Sequence, residues 1–248
     1  VDLALLSELV HKSLLRWNVQ GRYEIHELLR QYSSEKLDAL PEERQAVRER
    51  HSRYYVEFIS ARESDLFGER LREIKDEIRP EIENVRAGVH WAVAHWSEAE
   101  ARDALARFDA VCLVQGWYEG KEAFAAVVQA LQETCDTEAG TPKNPPLLSA
   151  MAYQALYGSL LGDSEASEEI LRKCLPALGL LGIQREVVVC HFAQGVSAFY
   201  RGEFEKARQR FEESLTLARA GKFERWAAHA LMWLGWLLCE LGDYERAQ

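Results

Sequence analysis

Three glycines, Gly162, Gly202 and Gly242, stand 40 residues apart. Each sits in a similar phrase: Leu161-Gly162-Asp163-Ser164, Arg201-Gly202-Glu203-Phe204 and Leu241-Gly242-Asp243-Tyr244. Each closes an apolar run of helical periodicity, and the first two open another. A fixed period in this range marks stacked helix-turn-helix units, none of which can bury its apolar face alone. Such an array presents an extended surface and is not built around a cleft for bond-making.

The unit around Gly202 gives the expected division of labour. Gly195 is the small residue where two helices cross closely. Gly202 ends the first helix, because only glycine takes a left-handed turn at low cost. Phe204 fills the turn, Ala207 keeps the second helix near the first, and Phe211 and Leu215 fill the layer to the next unit. The next unit repeats the plan with Leu234-Gly235, Leu241-Gly242-Asp243-Tyr244 and Ala247. Periodicity predicts helices over 69–79, 82–96, 98–115, 119–136, 147–161, 164–178, 184–201, 204–219 and 223–241. Thr141-Pro142-Lys143-Asn144-Pro145-Pro146 is the one long loop. It breaks the period, since Gly116 precedes Gly162 by 46 residues.

The first forty residues follow another pattern. Residues 2–14 form an amphipathic helix with Leu5, Leu6, Leu9 and Val10 on one face. Leu15, Trp17, Tyr23 and Ile25 then alternate with polar residues around Asn18-Val19-Gln20-Gly21, a short hairpin with its glycine in the turn. A second helix is expected from about His26 to Leu40, with Leu28, Leu29, Tyr32 and Leu37 facing inward. Helix, hairpin, helix is the back half of a winged-helix domain. Pro41 suits the first turn of a further helix, and Glu42 and Glu43 suit its positive end. Val47, His51, Tyr54, Tyr55 and Phe58 mark the stripe expected to be buried there. The expected organisation is thus residues 1–40 as the C-terminal part of a winged helix, 41–68 as a helical arm, and 69–248 as the repeat array. The expected fold class is all-α: a right-handed α-solenoid preceded by a partial winged-helix module with one β-hairpin.

Charge limits the partners. The net charge is −10, but residues 1–62 balance, with ten Lys/Arg against ten Asp/Glu. The array therefore carries the excess acid and repels phosphate backbones, so nucleic acid is not an expected partner. Five cysteines (112, 135, 174, 190 and 239) lack metal-ligand spacing and read as reduced, mostly buried thiols in a cytoplasmic protein. No apolar stretch approaches membrane-spanning length, and the start lacks a secretory leader. The chain also starts without Met and stops soon after a repeat glycine, which reads as a fragment of a longer polypeptide.

Catalytic signatures are missing. There is no phosphate-binding Gly-x-x-x-x-Gly-Lys-Ser/Thr loop. His26-Glu27-Leu28-Leu29-Arg30 departs from a zinc-protease helix because Arg30 replaces the second histidine. No Gly-x-Ser-x-Gly elbow occurs, and Cys190 and His191 are sequence neighbours that point about 100° apart on a helix. The chain by itself is not expected to be an enzyme or to hold a metal or cofactor.

Three phrases carry a resemblance. Leu9-Val10-His11-Lys12-Ser13-Leu14-Leu15, Arg22-Tyr23-Glu24-Ile25-His26-Glu27-Leu28-Leu29-Arg30-Gln31-Tyr32, and Ile82-Glu83-Asn84-Val85-Arg86-Ala87 with Trp91-Ala92 occur in this order. Together they resemble the winged-helix end and first sensor helix of STAND-type signal-transduction ATPases, the NB-ARC and maltose-activator type. The repeats resemble tetratricopeptide repeats, closely over 148–248 and loosely over 69–136, with a period longer than the usual ~34 residues. In the earlier part, Gly116-Trp117-Tyr118 stands in for the turn.

The resemblance implies a regulatory sensor that holds the intact protein autoinhibited until an inducer binds. The inducer could be a protein, a peptide or a small molecule. It also implies ADP or ATP with Mg²⁺ in the parent protein, and contact with an upstream nucleotide-binding domain of the same chain. His26 would donate to the β-phosphate of ADP, with Glu27 as its acidic neighbour. The other reading of His26 is packing at the hairpin–helix junction. In tetratricopeptide arrays the first helix of each pair lines the concave face. Here that face would draw on Phe192, Val196, Phe199 and Tyr200, then His229, Met232, Trp236 and Glu240, with at least half of them expected to be repeat-to-repeat core instead. Trp236 is expected to face the groove, and Trp226 and Trp233 to pack. A winged-helix nucleic-acid binder with a tetratricopeptide scaffold, and a plain protein-interaction adaptor, are the competing readings.

Overall fold

A computed structural model describes residues 2–19, 21–134 and 144–243. The chain divides into two compact units, Val1–His51 and Ser52–Gln248. Among the described residues the structure is helical apart from one two-stranded sheet.

In the first unit, α1 (Leu3–His11) is capped by Asp2, whose Oδ1 accepts from the Ala4 N–H at 2.9 Å. Strands β1 (Leu15–Trp17) and β2 (Tyr23–Ile25) pair antiparallel, with Leu15 opposite Ile25 and Trp17 opposite Tyr23. The turn closes through Asn18, whose Oδ1 accepts from the Arg22 N–H, and Gly21 takes φ +77°. The expected turn residue Gln20 lies outside the described residues. Helix α2 (Glu27–Asp38) follows with His26 as its cap. Neither α1 nor α2 contributes a buried residue. Leu29 and Leu37 are half-buried as expected, but Leu28 and Tyr32 are 69 % and 58 % exposed, and Leu5 is also exposed. The helical stripe is present in the sequence, but Leu28 and Tyr32 are left uncovered within this unit.

The unit boundary falls inside α3 (Pro41–Ser60). Its buried residues are Ser52, Val56 and Ile59. The expected stripe is only partly right: His51, Tyr55 and Phe58 are half-buried, while Val47 and Tyr54 are exposed. The reason is a close crossing with α5 (Ile82–His95). Ser52 Oγ donates to the Gly88 carbonyl at 2.7 Å, and a Cβ on Gly88 would lie 3.2 Å from Tyr55 Cβ. Small residues sit at the centre of that contact and aromatic ones at its edge.

Between them lie a 3₁₀ segment (Glu63–Phe67), α4 (Leu71–Ile78) and a second 3₁₀ turn at Arg79–Glu81. Helix α6 (Glu98–Gln115) opens with a capping box in which Ser97 and Glu100 satisfy each other's backbone N–H groups. Gly116 alone joins α6 to α7 (Trp117–Thr134), with extended rather than left-handed backbone. Trp117 and Tyr118 therefore belong to α7 and not to the turn. Cys135 and residues 136–143 lie outside the described residues, as do Tyr244 and Ala247. Asn144 caps α8 (Pro145–Leu160) through its Oδ1, so Pro145 and Pro146 open a helix instead of ending a loop.

Helix α8 is the centre of the core: every residue from Pro146 to Leu160 except Gln154 is buried. Helices α9 (Ser164–Leu180), α10 (Gln184–Tyr200), α11 (Phe204–Ala220) and α12 (Glu224–Glu240) follow, each of 17 residues. Neighbours in sequence pack together, and in addition α6 packs on α8, α8 on α10 and α10 on α12.

The turns show that the repeating step is half of what the glycines suggest. Gly162, Gly182, Gly202, Lys222 and Gly242 all take positive φ, between 57° and 82°. Each of the five turns is closed by the same bond, from the N–H of the next residue to the carbonyl five residues earlier, as in Asp163 to Gly158 and Phe223 to Ala218. Lys222 hides the 20-residue step, because its glycine is displaced by one position. A Cβ on Gly221 would lie 2.3 Å from the Phe223 ring, so glycine is needed there for space and lysine is left in the strained conformation. Lys222→Gly is accordingly expected to stabilise the chain by about 1 kcal/mol, measured by denaturant unfolding.

Candidate functional site

Two expected sites and one unexpected cluster are visible. At the first, the His26 backbone is extended, and its Nδ1 accepts from the Leu28 N–H at 3.2 Å. That bond assigns the ring proton to Nε2. The residue is exposed and caps α2 at the hairpin–helix junction. Glu27 is held by its own helix: Arg30 Nε and Nη2 reach its two carboxylate oxygens at 2.8 and 2.5 Å. The Arg30 hydrogen bonds keep the Glu27 carboxyl below the usual range. Lys12 is likewise engaged with Glu8 at 2.5 Å.

The second expected site, the apolar face of α10 and α12, separates into two groups. Phe192 and Val196 are buried, which corrects their assignment to a groove. Phe192 lies in an aromatic cluster, its ring centroid 5.6 Å from those of both Phe211 and Trp226. Phe199 and His229 are half-buried. Tyr200, Met232, Trp236 and Glu240 are exposed. Trp236 is half exposed and meets the buried Trp233 edge-on at 5.1 Å. Trp226 and Trp233 pack as expected. Burial shifts the His229 imidazole downward, and the ring stands edge-on to Phe67 at 6.1 Å.

The sequence reading missed a buried polar cluster that links α6, α8, α10 and α12. Asp109 and Glu186 are fully buried carboxylates. Tyr157 Oη donates to Asp109 Oδ1 at 2.9 Å, and Arg225 Nη2 lies 2.8 Å from Asp109 Oδ2. Ser149 Oγ donates to Glu186 Oε1 at 2.9 Å, with Arg102 Nε 3.6 Å away. Asp103 bridges two guanidiniums, Arg107 at 3.0 Å and Arg185 at 3.2 Å. Burial pushes the Asp109 carboxyl upward, opposed by Arg225 and by the Tyr157 hydroxyl. It drives the Tyr153 and Tyr157 phenols well above their ordinary range. Both phenols are neutral at any physiological pH, and Tyr157 is the one that donates to Asp109.

Beside this cluster opens a cavity of about 330 Å³. Arg107, Arg185 and Arg225 line it, with Asp103, Glu63 and the rings of Phe223 and Trp226. The Arg225 guanidinium lies 4.9 Å from the Trp226 ring centroid and 5.6 Å from that of Phe67. Arg185 and Arg225 are 40 residues apart, each the second residue of its helix. A larger depression of about 540 Å³ lies between α9 and α11. Its charged lining pairs with itself and with neighbours, as in Arg201–Glu168 and Lys206–Glu168.

Two signals for the cluster were available in the sequence. Asp109 interrupts the apolar run Leu105-Ala106-Arg107-Phe108-Asp109-Ala110-Val111, and arginine recurs at one repeat position. Among the described residues, no group of three His, Cys, Asp or Glu side chains is placed to hold a metal ion. Among the same residues, no helix is long and apolar enough to cross a membrane. Compared with known proteins, the chain matches no family model, and no curated protein or solved structure is significantly similar to it.

Proposed function

We propose that this chain is the regulatory sensor region of a STAND-type ATPase. Residues 1–40 are the end of its winged-helix domain, 41–68 an arm, and 69–248 a right-handed, tetratricopeptide-like solenoid that receives an inducer in the cytoplasm. The observation that carries this reading is the state of His26. Its imidazole is exposed at the start of α2, with Nδ1 engaged in capping and Nε2 left as the donor. A donor beside the positive end of a helix suits a phosphate oxygen. The uniform turns of α9 to α12 support the sensor half, because they stack helix pairs in a regular series. The exposed Leu28 and Tyr32 fit a module that completes its core on neighbouring domains.

In this reading the parent protein holds ADP when off, and His26 ties the winged helix to the nucleotide. The inducer binds the open form more tightly than the closed one and shifts the population towards ATP exchange. Catalysis belongs to the nucleotide-binding domain, not to this chain. The nucleic-acid reading is weaker, since Lys12, the cation it needs on α1, is paired with Glu8.

The test uses the natural full-length polypeptide containing these residues. Wild type is expected to purify with bound ADP, and His26→Ala to retain at least about tenfold less, as befits loss of a charge-assisted hydrogen bond. Equal retention by the two proteins, or no nucleotide in the wild type, contradicts the proposal.

A further inference from the structure

We propose that the 3₁₀ segment Glu63–Phe67 is a strap across the start of α12, and that this seam opens as a unit while the rest of α12 stays packed on α10 and α11. In the sensor reading above, the seam is the two-state element that carries ligand binding to α3, since the strap follows α3 directly. Only that use rests on the reading; the opening itself does not.

The strap is fixed on one side and loose on the other. Leu66 is buried, and the strap packs on α4 and α6. Arg62, just before it, donates to Glu77 of α4 at 2.8 Å, and its guanidinium lies 3.8 Å from the Phe58 ring centroid. Helix α12 packs on α10 and α11. Close packing of that kind does not join α12 to the strap or to α6 among the described residues; side chains bridge the gap. The Phe67 ring is half exposed, with the His229 ring 6.1 Å away and the Arg225 guanidinium 5.6 Å away. Arg225 also reaches Asp109 of α6. Between the strap, α6, α10 and the first turn of α12 lies the cavity of about 330 Å³, so dispersion contacts are missing where the seam meets.

The polar groups behind the seam are only half satisfied. Arg225 Nη2 lies 2.8 Å from Asp109 Oδ2 without the alignment of a hydrogen bond. Asp109 Oδ2, Arg225 Nη1 and Trp226 Nε1 are thus left without a hydrogen-bond partner among the described residues. They include an acceptor as well as donors, and they are sealed from solvent, so an occupant of the cavity does not reach them. Movement of the first turn of α12 away from α6 gives all three water. Each bond recovered offsets part of the burial lost, and the strap loses contact with α12 chiefly at one half-exposed ring. This places the seam among the partial openings that lie below global unfolding in free energy.

The test is hydrogen exchange of the indole N–H groups, followed by NMR at rising denaturant below the unfolding transition. Trp226 and Trp233 are each 2 % exposed on the same helix, one at the seam and the other against Phe199 and Phe211. In the wild-type chain the Trp226 N–H is expected to exchange about tenfold faster than that of Trp233 or more, and with a weaker dependence on denaturant. Phe67→Ala should speed Trp226 by about threefold, the size of one part-exposed cation–π contact, and leave Trp233 unchanged. Equal rates and slopes for the two indoles in the wild type mean that α12 comes away as a whole. A Trp226 rate that Phe67→Ala leaves unchanged means that water reaches the indole without the strap. Either result overturns the proposal, and the first needs no variant. Neither bears on nucleotide retention through His26, so the two proposals fail separately.

Discussion

Arg225→Met is expected to cost about 3–5 kcal/mol of folding stability at neutral pH, more than any other single substitution named for this chain. The loss does not come from the ion pair's own worth, which is small once desolvation is counted. It comes from leaving the Asp109 carboxylate fully buried with only the Tyr157 hydroxyl beside it. Asp109→Asn should cost less, because Arg225 lines the cavity and can recover solvent there. Combining Asp109→Leu with Arg225→Met should restore much of the loss, and a double-mutant cycle by denaturant unfolding measures the coupling. The pH dependence has a definite sign. Burial raises the folded-state pKa of Asp109, so the folded chain binds the proton that the unfolded chain has released. Stability from this group is fully present below the unfolded pKa and is lost as pH rises through the folded pKa. Without Arg225 the shift grows, so the Arg225→Met deficit should be smaller at pH 5 than at pH 7. A deficit independent of pH would place the cost elsewhere.

Gly195→Ala is expected to destabilise by about 2 kcal/mol, although alanine favours helix by about 1 kcal/mol. The added Cβ would lie 2.5 Å from a ring carbon of Phe211. That ring cannot easily withdraw. It packs on Phe192 and Trp233, and α11 is tied to α10 by Ser214 Oγ donating to the Val188 carbonyl at 3.1 Å. Gly179→Ala is the matched control, since a Cβ there meets nothing within 4 Å. It should be neutral or stabilising by up to about 1 kcal/mol. In the Phe211→Leu background, Gly195→Ala should lose most of its cost. Thermal or denaturant unfolding of the wild type and the four variants decides the matter, and equal responses at Gly179 and Gly195 would mean that α10 and α11 do not cross this closely.

Much of the helical layout was legible because apolar period, caps and left-handed glycines are local properties. Boundaries such as Glu98–Gln115 follow from the Ser97 capping box and the glycine at 116. The 20-residue step was hidden by a single offset, Gly221 for Lys222, whose cause is the Phe223 ring and so a contact rather than a propensity. The stripe of α3 was misread for a similar reason. Periodicity points to large apolar residues, whereas a close crossing puts Ser52 at the centre. The polar cluster was not legible as such. Its members come from four helices, and each charged residue alone looks like part of a solvated face until Asp109 and Arg225 are seen 2.8 Å apart. The assignment of Phe192 and Val196 to a groove failed because the aromatic cluster around Phe192 depends on which neighbours surround it.

The measurement that bears most directly on the central proposal is the distance from His26 Nε2 to the nearest phosphate oxygen in a structure of the intact polypeptide with ADP. The proposal requires a hydrogen bond, about 2.7–3.2 Å, with Nδ1 still capping α2. An imidazole turned towards protein or solvent, with the diphosphate held wholly by other groups, would contradict it.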